Sequence, residues 1–214
     1  MADMKAIAEA IISGNRNVPK TALQLTEEAL AQGISPKTIF EDGLMAGMAV
    51  VIEQFKRNEV FIPEVLISAR AFGPAMEKIK PLLLAAGEKP VGKVVIGTVK
   101  GDLHDIGKNL VSLTLKGQGF DIEDLGTDVA PETFVKKAQA SGADIVAMSA
   151  LLTTTMPQMK NVVGAVKQAG LKAKTLIGGA PVTQDYANEI GADGYAPDAA
   201  TAVDVARKLV GARA

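Results

Sequence analysis

The chain has a single histidine, His104, within Gly101-Asp102-Leu103-His104-Asp105-Ile106-Gly107. A neutral imidazole binds a metal through one ring nitrogen when its other N–H is held in place. Asp102, two residues earlier in an extended loop, is a suitable acceptor for that N–H and would make the ring a better electron donor. Asp105 reads as the cap of a helix starting near Ile106. Gly101 and Gly107 permit close approach of a bulky ligand to the backbone. The ordinary alternative is a surface or packed histidine beside two helix caps.

Two further segments have polar or vacant positions suited to a buried ligand. Ser149-Ala150-Leu151-Leu152-Thr153-Thr154-Thr155 places four hydroxyls within seven residues. Those hydroxyls either satisfy ligand polar atoms or cap a helix beginning near Met156-Pro157. Gly178-Gly179-Ala180-Pro181 leaves room beside a strand, or makes a tight strand-to-helix turn. The absence of cysteine removes disulfides, zinc–thiolate sites, iron–sulfur clusters and thiol nucleophiles from consideration.

The elements that would position these loops fall into two halves. Up to about residue 87, apolar residues recur at spacings of three and four (Ile7, Ile11, Leu23, Leu30, Ile39, Leu44, Met48, Val51, Ile52, Phe55), which predicts helices. Breaks fall at Gly14 to Pro19, Gly33 to Pro36 and Asn58 to Pro63. Ser35-Pro36 and Pro63 look like helix starts. Four helices with short turns predict a small bundle.

Beyond Gly87-Glu88-Lys89-Pro90 the pattern changes. Strands are expected at Lys93 to Val99, Phe120 to Leu125, Asp144 to Ser149, Lys174 to Ile177 and near Gly194-Tyr195. Helices are expected near 106–117, 131–141, 156–169, 183–190 and 198–211. This alternation predicts an α/β domain, a flavodoxin-like (Rossmann-like) five-stranded parallel sheet in the order 2-1-3-4-5. The expected domains are a helical cap over 1–89 and an α/β domain over 90–214. Ligands of such sheets bind beyond the carboxyl ends of the strands, which is where all three loops fall.

Acidic and basic residues nearly cancel, 24 against 23, for a net charge of -1. Nucleic acid and an anionic membrane surface are therefore not expected as partners. The amino end lacks a secretory-signal pattern, and no stretch approaches about 18 uninterrupted apolar residues. A cytoplasmic protein is the expectation.

Taken together, Asp102-Leu103-His104 with Gly107, Ser149-Ala150-Leu151, and Gly178-Gly179 resemble the D-x-H-x-x-G, S-x-L and G-G signatures of the cobalamin-binding domain of methionine synthase and its relatives. The surrounding GTVKGDLHDIGKN segment strengthens the match. Phe61-Ile62-Pro63-Glu64-Val65-Leu66 resembles the F-L-P-E-V-L segment of the helical cap preceding that domain. Nearly the whole chain is covered, and the best match is to the stand-alone corrinoid proteins of methyltransferase systems.

The resemblance implies a cobalamin or related corrinoid cofactor that cycles between methylcob(III)alamin and cob(I)alamin. His104 would replace the cofactor's own base as lower axial ligand to cobalt, with no second histidine competing. Asp102 and then Thr155 would continue the ligand's hydrogen-bond chain. Threonine stands at 155 where methionine synthase is expected to have serine, and Thr153 matches another hydroxyl position. Ser149 and Leu151 would line the slot for the displaced nucleotide tail, with Gly178 and Gly179 leaving space. Phe61, Val65 and Leu66 are the cap candidates for the upper corrin face, although their spacing equally suits bundle core.

The implied function is a methyl carrier, itself non-catalytic. It would work between a substrate:corrinoid methyltransferase and a second methyltransferase that passes the group to tetrahydrofolate or coenzyme M. A reductive activase is a further partner in such systems. The alternatives are the B12-binding subunit of a radical mutase, which normally lacks the four-helix cap, and a B12-dependent regulator. The regulator carries a DNA-binding segment ahead of the cap, and none is expected here. A cofactor-free receiver or flavin-type domain would leave the three-loop match unexplained.

Overall fold

The computed structural model describes residues 3–212. The chain forms two compact units. One comprises the chain up to Lys89 with Gly117–Gly119, and the other comprises Pro90–Lys116 with the chain from Phe120 onward.

In the helical unit, α1 (Met4–Ile12) is capped by Asp3 and α2 (Ala22–Ala31) by Thr21. The Thr21 hydroxyl accepts from the Gln24 N–H while the Gln24 side chain accepts from the Thr21 N–H, which satisfies two donors that a helix start would otherwise leave bare. Next, α3 (Pro36–Thr38), a π-helical stretch over Ile39–Met45 and α4 (Ala46–Lys56) follow one another without a break. Ser35 caps this rod as expected, accepting the Thr38 N–H at 3.1 Å. The widened π turn leaves no mark in the sequence pattern. It contains Gly43, and Gly47 follows it. A Cβ on Gly47 would lie 2.8 Å from the Ala8 carbonyl oxygen, so the absence of a side chain is what lets α1 lie this close.

The last rod, α5 (Ile62–Ala85), has Pro63 in its first turn, and the Glu64 carboxylate accepts the Phe61 N–H at 3.0 Å. The four rods expected are thus present. They enclose a core that includes Ile7, Ile11, Leu44, Met48, Phe72 and Ile79.

The second unit is built on five parallel strands: β1 (Lys93–Thr98), β2 (Asp121–Asp124), β3 (Ile145–Ser149), β4 (Lys174–Gly178) and β5 (Gly194–Ala196). Their order is β2-β1-β3-β4-β5, as the sequence predicts. Helices α6 (Ile106–Lys116), α7 (Pro131–Ser141), α8 (Pro157–Gln168), α9 (Gln184–Ile190) and α10 (Ala199–Leu209) connect or close them. Strands β1 and β3 are buried on both faces, which is why they read as continuous apolar runs. One face packs Val95, Val146 and Ile177 against α7, α8 and α9 through Phe134, Val163 and Ile190. The other packs Val94, Ile96, Ile145 and Leu176 against α6 and α10 through Leu115, Val203 and Ala206.

Candidate functional site

Strand order reverses at β1, whose neighbours are β2 and β3, so the loops leaving β1 and β3 diverge around a crevice. Gly101, with φ +83°, turns the chain out of β1. Asp102 then turns inward and is fully buried, while the His104 side chain stays 52% exposed.

Both carboxylate oxygens of Asp102 are used. Oδ1 accepts the His104 ring Nδ1 at 2.7 Å and the His104 main-chain N–H at 3.1 Å. Oδ2 accepts the Leu151 N–H at 2.8 Å, the Leu152 N–H at 3.3 Å and the Thr155 hydroxyl at 2.7 Å. Burial alone would favour the uncharged acid. The donors of Leu151, Thr155 and His104 outweigh it and hold the carboxyl well below the usual range. An ionised carboxylate at Nδ1 fixes the neutral ring as the Nδ1–H tautomer and leaves a lone pair on Nε2. The Thr155 hydroxyl is also within 2.9 Å of the Leu152 carbonyl, so it has a second acceptor available.

Asp105 caps in a different way from that expected. Its carbonyl accepts the Asn109 N–H at 2.7 Å, while its carboxylate accepts the Asn109 side-chain amide at 3.0 Å. Asn109 in turn accepts from Lys108 Nζ at 2.7 Å, and Lys108, almost wholly buried, also pairs with Asp124 at 2.6 Å. This chain of contacts pins the first turn of α6 to the end of β2.

Two residues that the sequence reading passed over also act on the His104 loop. The buried Thr98 hydroxyl donates to the His104 carbonyl at 2.8 Å. Asp128, in the loop after β2, accepts the Gly101 N–H on its carboxylate at 2.7 Å and donates its own N–H to the Asp102 carbonyl at 3.0 Å. Asp128 lies in the loop after the second strand, outside the three loops that carry the sequence motifs. The available signal was a turn at Gly126-Thr127-Asp128.

The remaining candidates gather at the same edge of the sheet. Thr98, Ser149, Gly178 and Ala196 are paired in register across β1, β3, β4 and β5, so their Cα positions form one row on the face covered by α6 and α10. Deeper rows on that face carry Ile96 and Leu176, whereas the edge row has only a methyl, a hydroxymethyl, a threonine and a bare Cα. Gly179 has a φ of +132°, and a Cβ there would lie 1.9 Å from the Ala150 carbonyl oxygen, so only glycine fits. Thr153 is exposed on the turn carrying Leu151 and Thr155. Leu103 (73%), Ile106 (72%), Leu151 and Leu152 (both 42%) form an exposed apolar border to the histidine loop. In the helical unit Phe61 is exposed, Val65 buried and Leu66 half-buried.

Comparison with known proteins gives this constellation a family. Residues 92–204 match the model of a B12 binding domain, and residues 4–80 match a second model of the same description. The chain is 45% identical over 193 residues to trimethylamine corrinoid protein 1 of Methanosarcina acetivorans, covering 88% of this chain and 89% of that one. This chain belongs to the B12-binding corrinoid proteins. This corrinoid protein is also 40% identical over 216 residues to dimethylamine corrinoid protein 3 of the same organism, covering 98% and 100% of the two chains. Its fold superposes with a TM-score of 0.87 on a chain of the methanol:cobalamin methyltransferase complex from Methanosarcina barkeri, at 32% identity over 98% of this chain and 80% of that one. A cobalamin-binding protein from Desulfitobacterium hafniense matches at a TM-score of 0.76 and 30% identity, covering 98% and 99%. No helix among the described residues is long and apolar enough to cross a membrane.

Proposed function

We propose that this corrinoid protein carries a methyl group between two methyltransferases, and that His104 would be the residue that holds the cobalt of the bound cofactor. The observation that supports this most directly is the fivefold-donated, buried Asp102, which holds Nδ1 of a half-exposed imidazole and leaves Nε2 available. The residues suit a corrinoid. A neutral imidazole is a good nitrogen ligand, the apolar border matches a broad macrocycle, and the small side chains at the Ser149–Gly178–Ala196 edge suit an inserted tail.

When bound, the corrinoid supplies a cobalt centre able to accept and surrender a methyl cation equivalent. The chain's own residues do the positioning. Asp102 fixes the tautomer and orientation of His104. Leu151 and Thr155 stabilise the negative charge of Asp102, so the proton stays on Nδ1 while the ring is neutral. The Nε2 lone pair is thereby kept free, and it is the atom through which His104 would hold the metal.

The partners in this reading are a substrate:corrinoid methyltransferase, a methyltransferase delivering to tetrahydrofolate or coenzyme M, and a reductive activase. The donor would be a small methylated amine or alcohol, like the compounds in the relatives' names. The helical segment 1–89 is taken as one domain and 90–214 as the cofactor domain.

The test is reconstitution with hydroxocobalamin, removal of free cofactor, and paramagnetic resonance after reduction to cobalt(II). Axial nitrogen hyperfine coupling in the wild type that disappears in His104→Ala is the expected result. Identical spectra from the two proteins would overturn the ligand assignment.

A further inference from the structure

We infer that Asp128 and Thr98 are positioning residues for the axial imidazole, acting through the main chain of the His104 loop. This rests on His104 being the axial ligand. The Asp102 side chain restrains the ring and the His104 N–H, but it does not hold the loop's own carbonyls or its entry from β1. Those restraints come from elsewhere. The Thr98 hydroxyl donates to the His104 carbonyl at 2.8 Å, so the main-chain N–H and C=O of the ligand residue are both engaged. The Asp128 N–H donates to the Asp102 carbonyl at 3.0 Å, and its carboxylate takes the Gly101 N–H at 2.7 Å. Gly101, Asp102 and His104 are therefore each tied at the main chain by one of two residues outside the loop.

The two restraining residues are themselves held together. Thr98 donates its N–H to the Gly126 carbonyl at 2.9 Å, and Val129 donates its N–H to the Thr98 carbonyl at 3.0 Å. Val99 and Val129 form an isolated parallel bridge beside them. The loop after β2 thus continues the sheet past its last regular pair and forms a rigid backing for the histidine loop.

The backbone of Asp128 marks it as more than a surface carboxylate. Its φ is +56°, in the left-handed region that glycine occupies without penalty and aspartate tolerates less well. Glycine would relieve that conformation but would offer no acceptor to Gly101. The aspartate is accounted for if the acceptor matters more than the strain. This separates the two contributions by mutation. Asp128→Gly keeps the main-chain conformation and the N–H to Asp102 but loses the acceptor, whereas Asp128→Asn keeps an acceptor oxygen. Thr98→Val removes the hydroxyl in a nearly unchanged volume, and Thr98→Ser keeps the hydroxyl while losing only a methyl group.

The single histidine makes the test selective, because ¹⁵N-imidazole labelling yields the spectrum of one ring. The apo proteins would be compared by their imidazole ¹⁵N resonances. The hydroxocobalamin-loaded proteins would be compared by cobalt(II) nitrogen hyperfine coupling and by cofactor affinity. Wild type is expected to show the Nδ1–H tautomer alone. Asp128→Gly and Thr98→Val are expected to show tautomer averaging, a reduced histidine-coordinated fraction and at least about tenfold weaker binding, the effect of losing one restraint of hydrogen-bond strength. Asp128→Asn and Thr98→Ser should restore all three readouts.

Unchanged spectra in Asp128→Gly and Thr98→Val would overturn the proposal, as would Asn and Ser variants no better than Gly and Val. A wild type without nitrogen coupling would instead defeat the axial-ligand reading, and the apo imidazole spectra would still decide whether the brace orients the ring.

Discussion

Replacing Asp102 by asparagine tests the centre of the site most directly. Asparagine has one acceptor oxygen where the carboxylate offers two, and an NH2 in place of the other. If its oxygen faces His104, the NH2 faces the Leu151 and Leu152 N–H groups and the Thr155 hydroxyl. Thr155 can turn to donate wholly to the Leu152 carbonyl and accept from the new amide, so it escapes most of the penalty. The Leu151 N–H cannot. A stranded N–H in this part-buried position, against the fully buried side chain at position 102, costs about 1–3 kcal/mol, and loss of charge assistance at His104 adds about 1 kcal/mol.

A total of about 3 kcal/mol lowers the urea midpoint by roughly 1–2 M. Both tyrosines, Tyr186 and Tyr195, lie in the α/β unit and the chain has no tryptophan, so tyrosine fluorescence reports this unit alone. The pH dependence has a definite sign. Asp102 is held below its ordinary value of 3.8, so its stabilisation is complete above about pH 4 and is lost as pH falls toward the lower folded value. The gap between wild type and Asp102→Asn should therefore narrow below pH 4. A gap under about 1 kcal/mol at pH 7, or one that widens in acid, would refute the assignment of an ionised, multiply donated carboxylate.

Other changes give distinct outcomes. Gly179→Ala drives a Cβ to 1.9 Å from the Ala150 carbonyl at a φ of +132° and should cost at least about 3 kcal/mol, read as a fall in the tyrosine-detected melting temperature. Leu103→Ser and Ile106→Ser remove exposed apolar border, so apo stability should stay within about 0.5 kcal/mol. Corrinoid affinity, measured by calorimetric titration, should fall about 5- to 30-fold for each, from the apolar area no longer covered. Thr26→Val, in the helical unit, replaces a buried hydroxyl that has no hydrogen-bond partner among the described residues. It should stabilise that unit by about 1 kcal/mol, visible as a higher unfolding temperature by far-ultraviolet circular dichroism.

The α/β half was legible to within a residue or two because its signals are local. Doubly buried strands such as Val94 to Thr98 read as unbroken β-rich runs, and prolines at 131 and 157 mark helix starts. The Asp102–His104 contact was legible for the same reason, since its partners are two residues apart. Thr155 is 53 residues from the carboxylate it serves, and only the family resemblance placed it there. Thr98 and Asp128 escaped notice because they work on main-chain groups, which carry no residue-type signature. The π stretch over Ile39–Met45 was equally hidden, since one widened turn barely disturbs the spacing of Ile39, Leu44 and Met48. Asp105 was placed at the right helix start, but its partner is the Asn109 side chain, a choice between neighbouring donors that a sequence pattern does not make.

The reach of the contacts around Asp102 also has a consequence for how the protein is made. The ties from Thr98 to His104 and from Asp128 to Gly101 span 6 and 27 residues, whereas the donors on Oδ2 come from 49 to 53 residues away. Closing longer loops costs more entropy, so the shorter ties are available earlier as the chain emerges from the ribosome. On this ordering the histidine loop is shaped before its carboxylate receives the charge-stabilising donors of Leu151 and Thr155. Nascent chains of increasing length, challenged with corrinoid, should then begin to retain it only after Thr155 has cleared the exit tunnel, which makes cofactor capture a late event in the life of the polypeptide.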